Sequence, residues 1–321
     1  MQRQTTFGGG VSPRGTLPRG QSIIEYVLIA AVIGLVVIFA GPQVSGAIRN
    51  QFSQVANTVD SGTGGDSFMS AEEKAYQEAM KNITSKEAKD WTLDEQKAAA
   101  TDIAKNGTSS IAYAKAEAAM DAGTKFSVKL TNGKTMTYQI IGINHDDLAD
   151  GSGKAGLTFW FAGEALGKHR MNATSTNAGG WEKSELRAKM NGGEIWNLMP
   201  SDFQSKVKVV KKLTNNIGGG YANEDVIISS TSDKLFLPSF SELVKSSTNN
   251  YWGSTYPWIY SEGVQYEAFR NGGWTRPTSK EWERSVSPRN SERFFEAEPN
   301  GNSASSDSAN MQKCIRPAFC F

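Results

Sequence analysis

Phe126-Ser-Val-Lys-Leu130, Thr-Asn-Gly-Lys134, Thr135-Met-Thr-Tyr-Gln-Ile-Ile141 is the stretch that decides the fold. Apolar and polar residues alternate on both sides of Asn132-Gly133, the pair that best suits a tight hairpin turn. The reading is therefore two antiparallel strands, with which a domain spanning 125–321 begins. A loop follows, Asn144-His-Asp-Asp-Leu-Ala-Asp-Gly-Ser-Gly153, then a strand at Leu157-Thr-Phe-Trp-Phe161. Asp146, Asp147 and Asp150 lack the spacing and closing Glu of an EF-hand, so turn chemistry accounts for them better than calcium.

Further along, strands and short helices mix. Trp181, Leu186 and Met190 suit the inner face of a helix, and Ser201 caps another. Val207, Val209 and Val210 lead into a strand, and Ser232–Ser239 reads as a strand entering a helix at 239–244. The pattern implies an α+β class.

Upstream, 60–70 reads as a Gly/Ser linker. Residues 71–123 are rich in Ala, Glu and Lys and read as two or three helices, opened by Ser70 with Glu73 in the capping-box position. Nothing there concentrates chemistry, so the expectation is a helical stalk. No internal repeat is visible.

The first sixty residues differ in kind. Residues 1–20 are polar and carry Arg3, Arg14 and Arg19 with no acid. From Tyr26 to Ile48 there are 23 positions without a charge. Glu25 sits just inside that run, where a carboxylate is costly and needs a partner. The apolar stretch is long enough to cross a bilayer with its flanks. Gly41-Pro42 interrupts it, after which Val44, Ile48, Phe52, Val55 and Val59 resume a helical spacing. A helix over 23–59 has a length of roughly 55 Å. The basic leader on one side only places it towards the cytoplasm.

Gly20-Gln21 followed by Glu25-Tyr26 and an apolar helix resembles the type IV prepilins, especially those of the Flp type with a class III signal. The resemblance implies cleavage between Gly20 and Gln21 by a membrane prepilin peptidase. It also implies a transmembrane and assembly helix over 21–59. Glu25, beside Tyr26, would pair with the free amine of Gln21 on a neighbouring pilin subunit. The precursor would sit in the cytoplasmic membrane and the mature chain in a cell-surface pilus. The chain is far longer than the small Flp subunits, which points to a minor pilin.

A second resemblance covers nearly all of 125–321. The pieces that carry it are Ile141-Gly-Ile-Asn-His-Asp-Asp-Leu148, Met171-Asn-Ala-Thr-Ser-Thr-Asn-Ala-Gly-Gly-Trp181, Leu186-Arg187, Leu198-Met-Pro-Ser201, Lys234-Leu-Phe-Leu-Pro238, Trp274-Thr-Arg276 and Ile315-Arg-Pro-Ala-Phe319. They look like the DUF6273 family, which is similar to C-type-lectin-like and formylglycine-generating-enzyme-like domains. The implied fold is two helices and a twisted antiparallel sheet beneath long C-terminal loops. Trp181, Trp274, Arg276 and Arg316 would be scaffold.

Residues 251–313 interleave aromatics with Asn, Ser and Arg, a composition suited to an adaptable binding surface. Within it, Trp282, Arg284, Arg289, Asn290, Arg293, Phe295, Asn300 and Asn302 are the ligand-binding candidates. Some domains of this kind are diversified by retroelements, which would make these loops hypervariable.

Cys314 and Cys320 are the two cysteines. On one extended strand they stand about 20 Å apart, beyond disulfide reach, and read as buried thiols. That separation also disfavours an enzyme built on a cysteine pair. His145 and His169 do not make a metal site, so no metal and no cofactor are expected. Without the leader the chain carries 31 basic and 33 acidic residues, a balance that argues against nucleic-acid binding. These readings converge on a pilus-associated adhesin with a lectin-like head that takes a surface protein or glycan. The alternatives are a structural minor pilin without a ligand, and a formylglycine-generating-like enzyme.

Overall fold

The computed structural model describes residues 69–218, 226–246, 254–270 and 277–321. The prepilin-like segment and its Gly20, Gln21, Glu25 and Tyr26, as well as Trp274 and Arg276, lie outside the described residues. Residues 72–321 form one compact unit, of mixed α+β class.

Three helices open it: α1 (Ala71–Ser85), α2 (Leu93–Asn106) and α3 (Tyr113–Asp121). Thr92 caps α2, accepting from the Glu95 amide while Glu95 accepts from the Thr92 amide, so two orphan donors are satisfied at once. Strands β1 (Phe126–Lys129) and β2 (Thr135–Ile143) form the expected hairpin. Gly133 turns it with a φ of 85°, which an L side chain avoids. With β3 (Leu157–Ala162) and β11 (Ala318–Cys320) they make a four-stranded sheet in the order β1-β2-β3-β11.

A five-stranded sheet has the order β4-β10-β7-β8-β9. Its members are β4 (Lys168–His169), β7 (Glu281–Val286), β8 (Arg293–Ala297), β9 (Ser305–Ser308) and β10 (Lys313–Cys314). A separate antiparallel ribbon pairs β5 (Val210–Asn215) with β6 (Ile228–Asp233). Short helices α4 (Glu185–Asn191), α5 (Ser201–Gln204) and α6 (Phe240–Leu243) lie between strands. Ser184 caps α4, and Ser239 with Glu242 forms a capping box on α6.

The core centres on Tyr138. Its ring lies 5.3 to 6.4 Å from those of Phe126, Phe159, Phe161, Phe203 and Phe319, spacings that suit offset or edge-on aromatic pairs. Its hydroxyl donates to Gln96 Oε1 of α2 at 2.9 Å. Ala99, Ala100, Ile103 and Ala116 of the helices are fully buried in the same apolar cluster as the sheet.

The expected stalk over 71–123 is therefore corrected. Its alanines do not decorate a solvated spacer; small side chains let α2 come close to the sheet. Gly156 shows how close: a Cβ there would stand 1.8 Å from the Ala100 carbonyl oxygen. The domain accordingly begins with the helices rather than at 125. The cysteine geometry is corrected too. Cys314 ends β10 and Cys320 ends β11, in different sheets, because the chain leaves one sheet and joins the other between them. Both thiols are free and buried.

Gly156→Ala is expected to destabilise the domain by about 2 kcal/mol or more, since the methyl meets backbone that is anchored on both sides. Urea unfolding checks this, and an unchanged midpoint would mean that α2 is not held against the sheet.

Candidate binding cleft

Alternation along β5 decides the chemistry of one wall. Val210 and Lys212 point inward while Lys211 and Leu213 point out. An inward lysine carries a charge into the interior, which is tolerated only with partners. Lys212 Nζ has two carboxylates, Asp146 Oδ1 and Glu242 Oε1, each at 2.5 Å, and all three side chains are at most 3% exposed. Phe236 lies under the ammonium, with its ring centre at 4.2 Å.

The chain of charge continues. Glu242 Oε2 receives Arg284 Nη1 at 2.5 Å, and Arg284 Nη2 donates to Glu242 Oε1 at 3.0 Å. The guanidinium also donates to the carbonyls of Leu237 and Glu262, at 2.9 and 2.6 Å, and to Thr214 Oγ1 at 3.0 Å. Asp146 in turn accepts from Thr158 Oγ1 at 2.6 Å and from Tyr266 OH at 3.0 Å.

Asp146, Lys212 and Glu242 floor a cleft of about 400 Å³. Its rim comes from the segment after β2, from β5 and from 262–270. Asn144, with a φ of 49°, turns the chain at the end of β2. His145 then faces Glu267, with Nδ1 to Oε2 at 3.1 Å, and stacks on Tyr266 with ring centres 4.2 Å apart. Arg270 Nη2 meets Glu267 Oε1 at 2.7 Å, and Lys154 meets Asp147 Oδ1 at 2.9 Å. Val264 is 67% exposed on the same rim. Asp150 accepts from the amide and hydroxyl of Ser152, the turn chemistry expected of the three acids, whereas Asp146 and Asp147 pair with Lys212 and Lys154 instead. Among the described residues no group of acids, His or Cys is placed to hold a metal ion.

The electrostatics divide the acids into two sets. Burial alone would raise the Asp146 carboxyl, but the Lys212 ammonium, helped by His145 and the hydrogen bonds, brings it down to about 2. Burial likewise opposes ionisation of Glu242, and Arg284 and Lys212 overcome it. Glu262 is the reverse case. Burial pushes it up to about 7, despite hydrogen bonds from the Asn215 amide and Ser285 Oγ. Burial also raises Glu281 to about 7, although Arg316 pairs with it. Glu283 is pushed well up by burial and by the neighbouring acids. Among the described residues neither of its oxygens has a hydrogen-bond partner.

The eight ligand candidates from the sequence are not gathered in one place. Trp282, Arg284 and Phe295 are corrected: all three are interior. Trp282 donates its ring N–H to the His169 carbonyl at 2.8 Å, and Phe295 packs on Phe240 with ring centres at 5.4 Å. Arg284 is the inner end of the ion chain. Every residue of β7 is buried, as is β8 from Phe294 onward, so aromatic and cationic side chains here fill a core rather than face solvent. Arg289, Arg293, Asn300 and Asn302 are exposed and Asn290 half-buried. Arg289 and Asn290 occupy the turn between β7 and β8, and Arg293 is the first residue of β8. Asn300 and Asn302 sit at the other end of β8, where both lie near Glu298 and shape the β8–β9 turn. Trp181 and Arg316 are interior: Trp181 donates to Asp233 Oδ2 at 3.1 Å, and Arg316 stacks over Trp160 at 3.7 Å.

Sequence reasoning missed Lys212, Glu242, Glu262, Tyr266 and Glu267, and weighed His145 only as a metal ligand. The period-two pattern of β5 and the Ser239–Glu242 capping box were the available signals. Neither cysteine is poised as a nucleophile, for burial raises both thiols and the thiolate is the reactive form.

A family model described as "Domain of unknown function (DUF6273)" matches residues 143–321. That is more than half of the chain, which therefore belongs to this family. No curated protein and no solved structure matches it. Among the described residues no helix is long and apolar enough to cross a membrane.

Lys212→Met is expected to cost roughly 3–5 kcal/mol, because it leaves Asp146 as a buried charge without its ion-pair partner. A Lys212→Met, Asp146→Asn double variant, which keeps the Glu242–Arg284 pair, should recover part of that loss in chemical denaturation; no recovery would mean that the charge on Asp146 is not the cause.

Stability should also depend on pH in a defined sense. Glu262 and Glu281 ionise near 4.5 when unfolded but at about 7 when folded, so stability falls as pH rises between these values. Asp146 acts oppositely, its contribution being lost as pH falls from 3.8 towards about 2. Urea midpoints should be higher at pH 5 than at pH 7.5, and Glu283→Gln should narrow the gap. A midpoint that rises across this range would contradict the assignment.

Proposed function

We propose that this DUF6273 member is a pilus-associated adhesin: a minor type IV-like pilin whose α+β unit is a lectin-like, ligand-binding head. The single observation that carries the reading is Glu25 inside an uncharged run of membrane length, just after Gly20-Gln21. A plain signal anchor gives that carboxylate nothing to do. Pairing with the amine of Gln21 on an adjacent subunit offsets the desolvation of both ions. The same helix holds the precursor in the membrane before the prepilin peptidase releases it for assembly.

The head supports recognition through its cleft. Floor charges are already paired with one another, so they shape the site without drawing in counter-ions. The rim offers His145, Glu267, Arg270 and Lys211 beside exposed Val264, which suits a ligand rich in hydroxyl or amide groups, such as a glycan or a protein loop. Exposed Arg289 and Arg293 are the positions where sequence can vary without disturbing the interior. Many heads along a filament would raise avidity above the affinity of one cleft.

Immunogold electron microscopy of native cells, with an antibody against residues 72–321, tests the reading. Label is expected on thin filaments and should be lost from them in a Glu25→Ala strain. Label confined to the cell envelope in both strains would overturn the filament assignment.

A further inference from the structure

The floor of the cleft brings together the groups that an amide-forming reaction needs. Lys212 Nζ touches Asp146 Oδ1 and Glu242 Oε1, each at 2.5 Å, and the three side chains are at most 3% exposed. Backbone bonds fix the contact on both flanks. The Lys211 amide donates to the Asp147 carbonyl at 2.8 Å, and the Ala149 amide to the Val209 carbonyl at 3.0 Å. The loop that carries Asp146 and the strand that carries Lys212 cannot part without breaking these bonds. Phe236 and Tyr266 line the lysine, with ring centres 4.2 and 5.5 Å from Nζ. The second oxygen of Asp146, Oδ2, accepts from Thr158 Oγ1 at 2.6 Å and from Tyr266 OH at 3.0 Å.

Each group has a role in condensation. Lys212 is a nucleophile held against a carboxyl group, so the entropy of bringing the two together is already spent. Glu242 lies within hydrogen-bond reach of the attacking nitrogen, as a general base must. The hydroxyls on Oδ2 stand where charge develops as the nitrogen adds.

We propose that Lys212 and Asp146 condense within the folded chain to an isopeptide bond, with Glu242 as the proton carrier. One proton first crosses from Nζ to Oδ1, leaving a free amine beside a carboxylic acid. The nitrogen lone pair then adds to Cγ while Glu242 takes a second proton from the nitrogen. Thr158 and Tyr266 hold the resulting charge on Oδ2. Glu242 returns its proton to the Oδ1 hydroxyl, which leaves as water into the cleft above. The Nζ–Cγ bond forms, the Cγ–Oδ1 bond breaks, and the third proton stays on the amide nitrogen. Nothing is oxidised or reduced, and no co-reactant is needed. A buried ion pair becomes a neutral amide, while Glu242 keeps its partner Arg284. Burial opposes both charges of the pair, but their mutual attraction raises the Lys212 ammonium and brings Asp146 down to about 2. The ionised pair is therefore the resting form. Condensation draws on its minor neutral tautomer and follows folding slowly.

The test uses the full chain in detergent, aged overnight at neutral pH. Its intact mass should be one water below that of its sequence. Trypsin should fail to cut after Lys212, and a branched peptide should join the fragments that hold Asp146 and Lys212. Lys212→Arg, which keeps the charge, should lose both signatures. Glu242→Gln should slow the loss of water on the order of a hundredfold. Tyr266→Phe, which leaves Glu242 in place, should slow it about tenfold. Circular dichroism confirms that each variant folds. A parent chain of full mass, cut normally after Lys212, would overturn the proposal whatever the variants do. So would a lost water traced to a cyclic imide at Asp150-Gly151, because that leaves Lys212 free. An undiminished rate in folded Glu242→Gln would overturn the role of Glu242.

Discussion

The ammonium of Lys212 is the constraint around which the folded unit is arranged. It joins three stretches far apart in the chain: the loop after β2 through Asp146, its own strand β5, and α6 through Glu242. Arg284 then extends the connection to β7. A buried ion network of this kind is weak evidence of net stability, because desolvation consumes much of the attraction. Its effect is on which arrangement is allowed. A one-residue slip of β5 would turn Val210, Lys212 and Thr214 outward and carry Lys211 and Leu213 inside, which breaks the Thr214 contact to Arg284 as well as the ion pairs of Lys212. The ribbon therefore has one register, and the cleft has one floor.

The same dependence explains why the folded unit is longer than the family match. The matched residues begin at 143, yet Tyr138, on which five aromatic rings converge, precedes them, as do β1 and the three helices. Without α2, Tyr138 would lose the Gln96 acceptor that satisfies its buried hydroxyl, and the alanine face packed near Gly156 would be missing. The helices complete a core that the later strands only half enclose. Low-complexity composition concealed this, since alanine in a close-packed helix and alanine in a solvated spacer look alike in sequence.

Legibility followed the range of the physics. Local signals were readable: the Asn132-Gly133 turn, the start of the Ser201 helix, the strand that begins at Val210, and Ser239 leading a helix. Properties set by distant partners were not. Trp282, Arg284 and Phe295 stand in a run of aromatic and polar residues, and such a run serves a binding surface or a polar core equally well. Only the strands on either side of β7 decide between them. The cysteines were legible as buried thiols but not as members of two sheets, because the turn at 315–317 depends on where β3 and β7 lie. Asp146 was read as part of a turn, but its partner Lys212 lies 66 positions away.

What remains at the surface is arranged so that recognition and folding make different demands. In β8, Phe294 and Phe295 are fully buried, while Arg293 at its start is exposed. Asn300 and Asn302 shape their own turn through local hydrogen bonds. A strand of five residues holds these two turns roughly 15 Å apart, too far for one small ligand to touch both. If the turns take part in recognition, they do so with a large partner, whereas the cleft matches the scale of a small one. Changes at Arg289 or Arg293 alter charge at the surface and leave the ion chain intact. Changes at Lys212 or Arg284 reach the whole interior. The domain separates the two by placing its exposed polar residues at the turns that bound a buried strand.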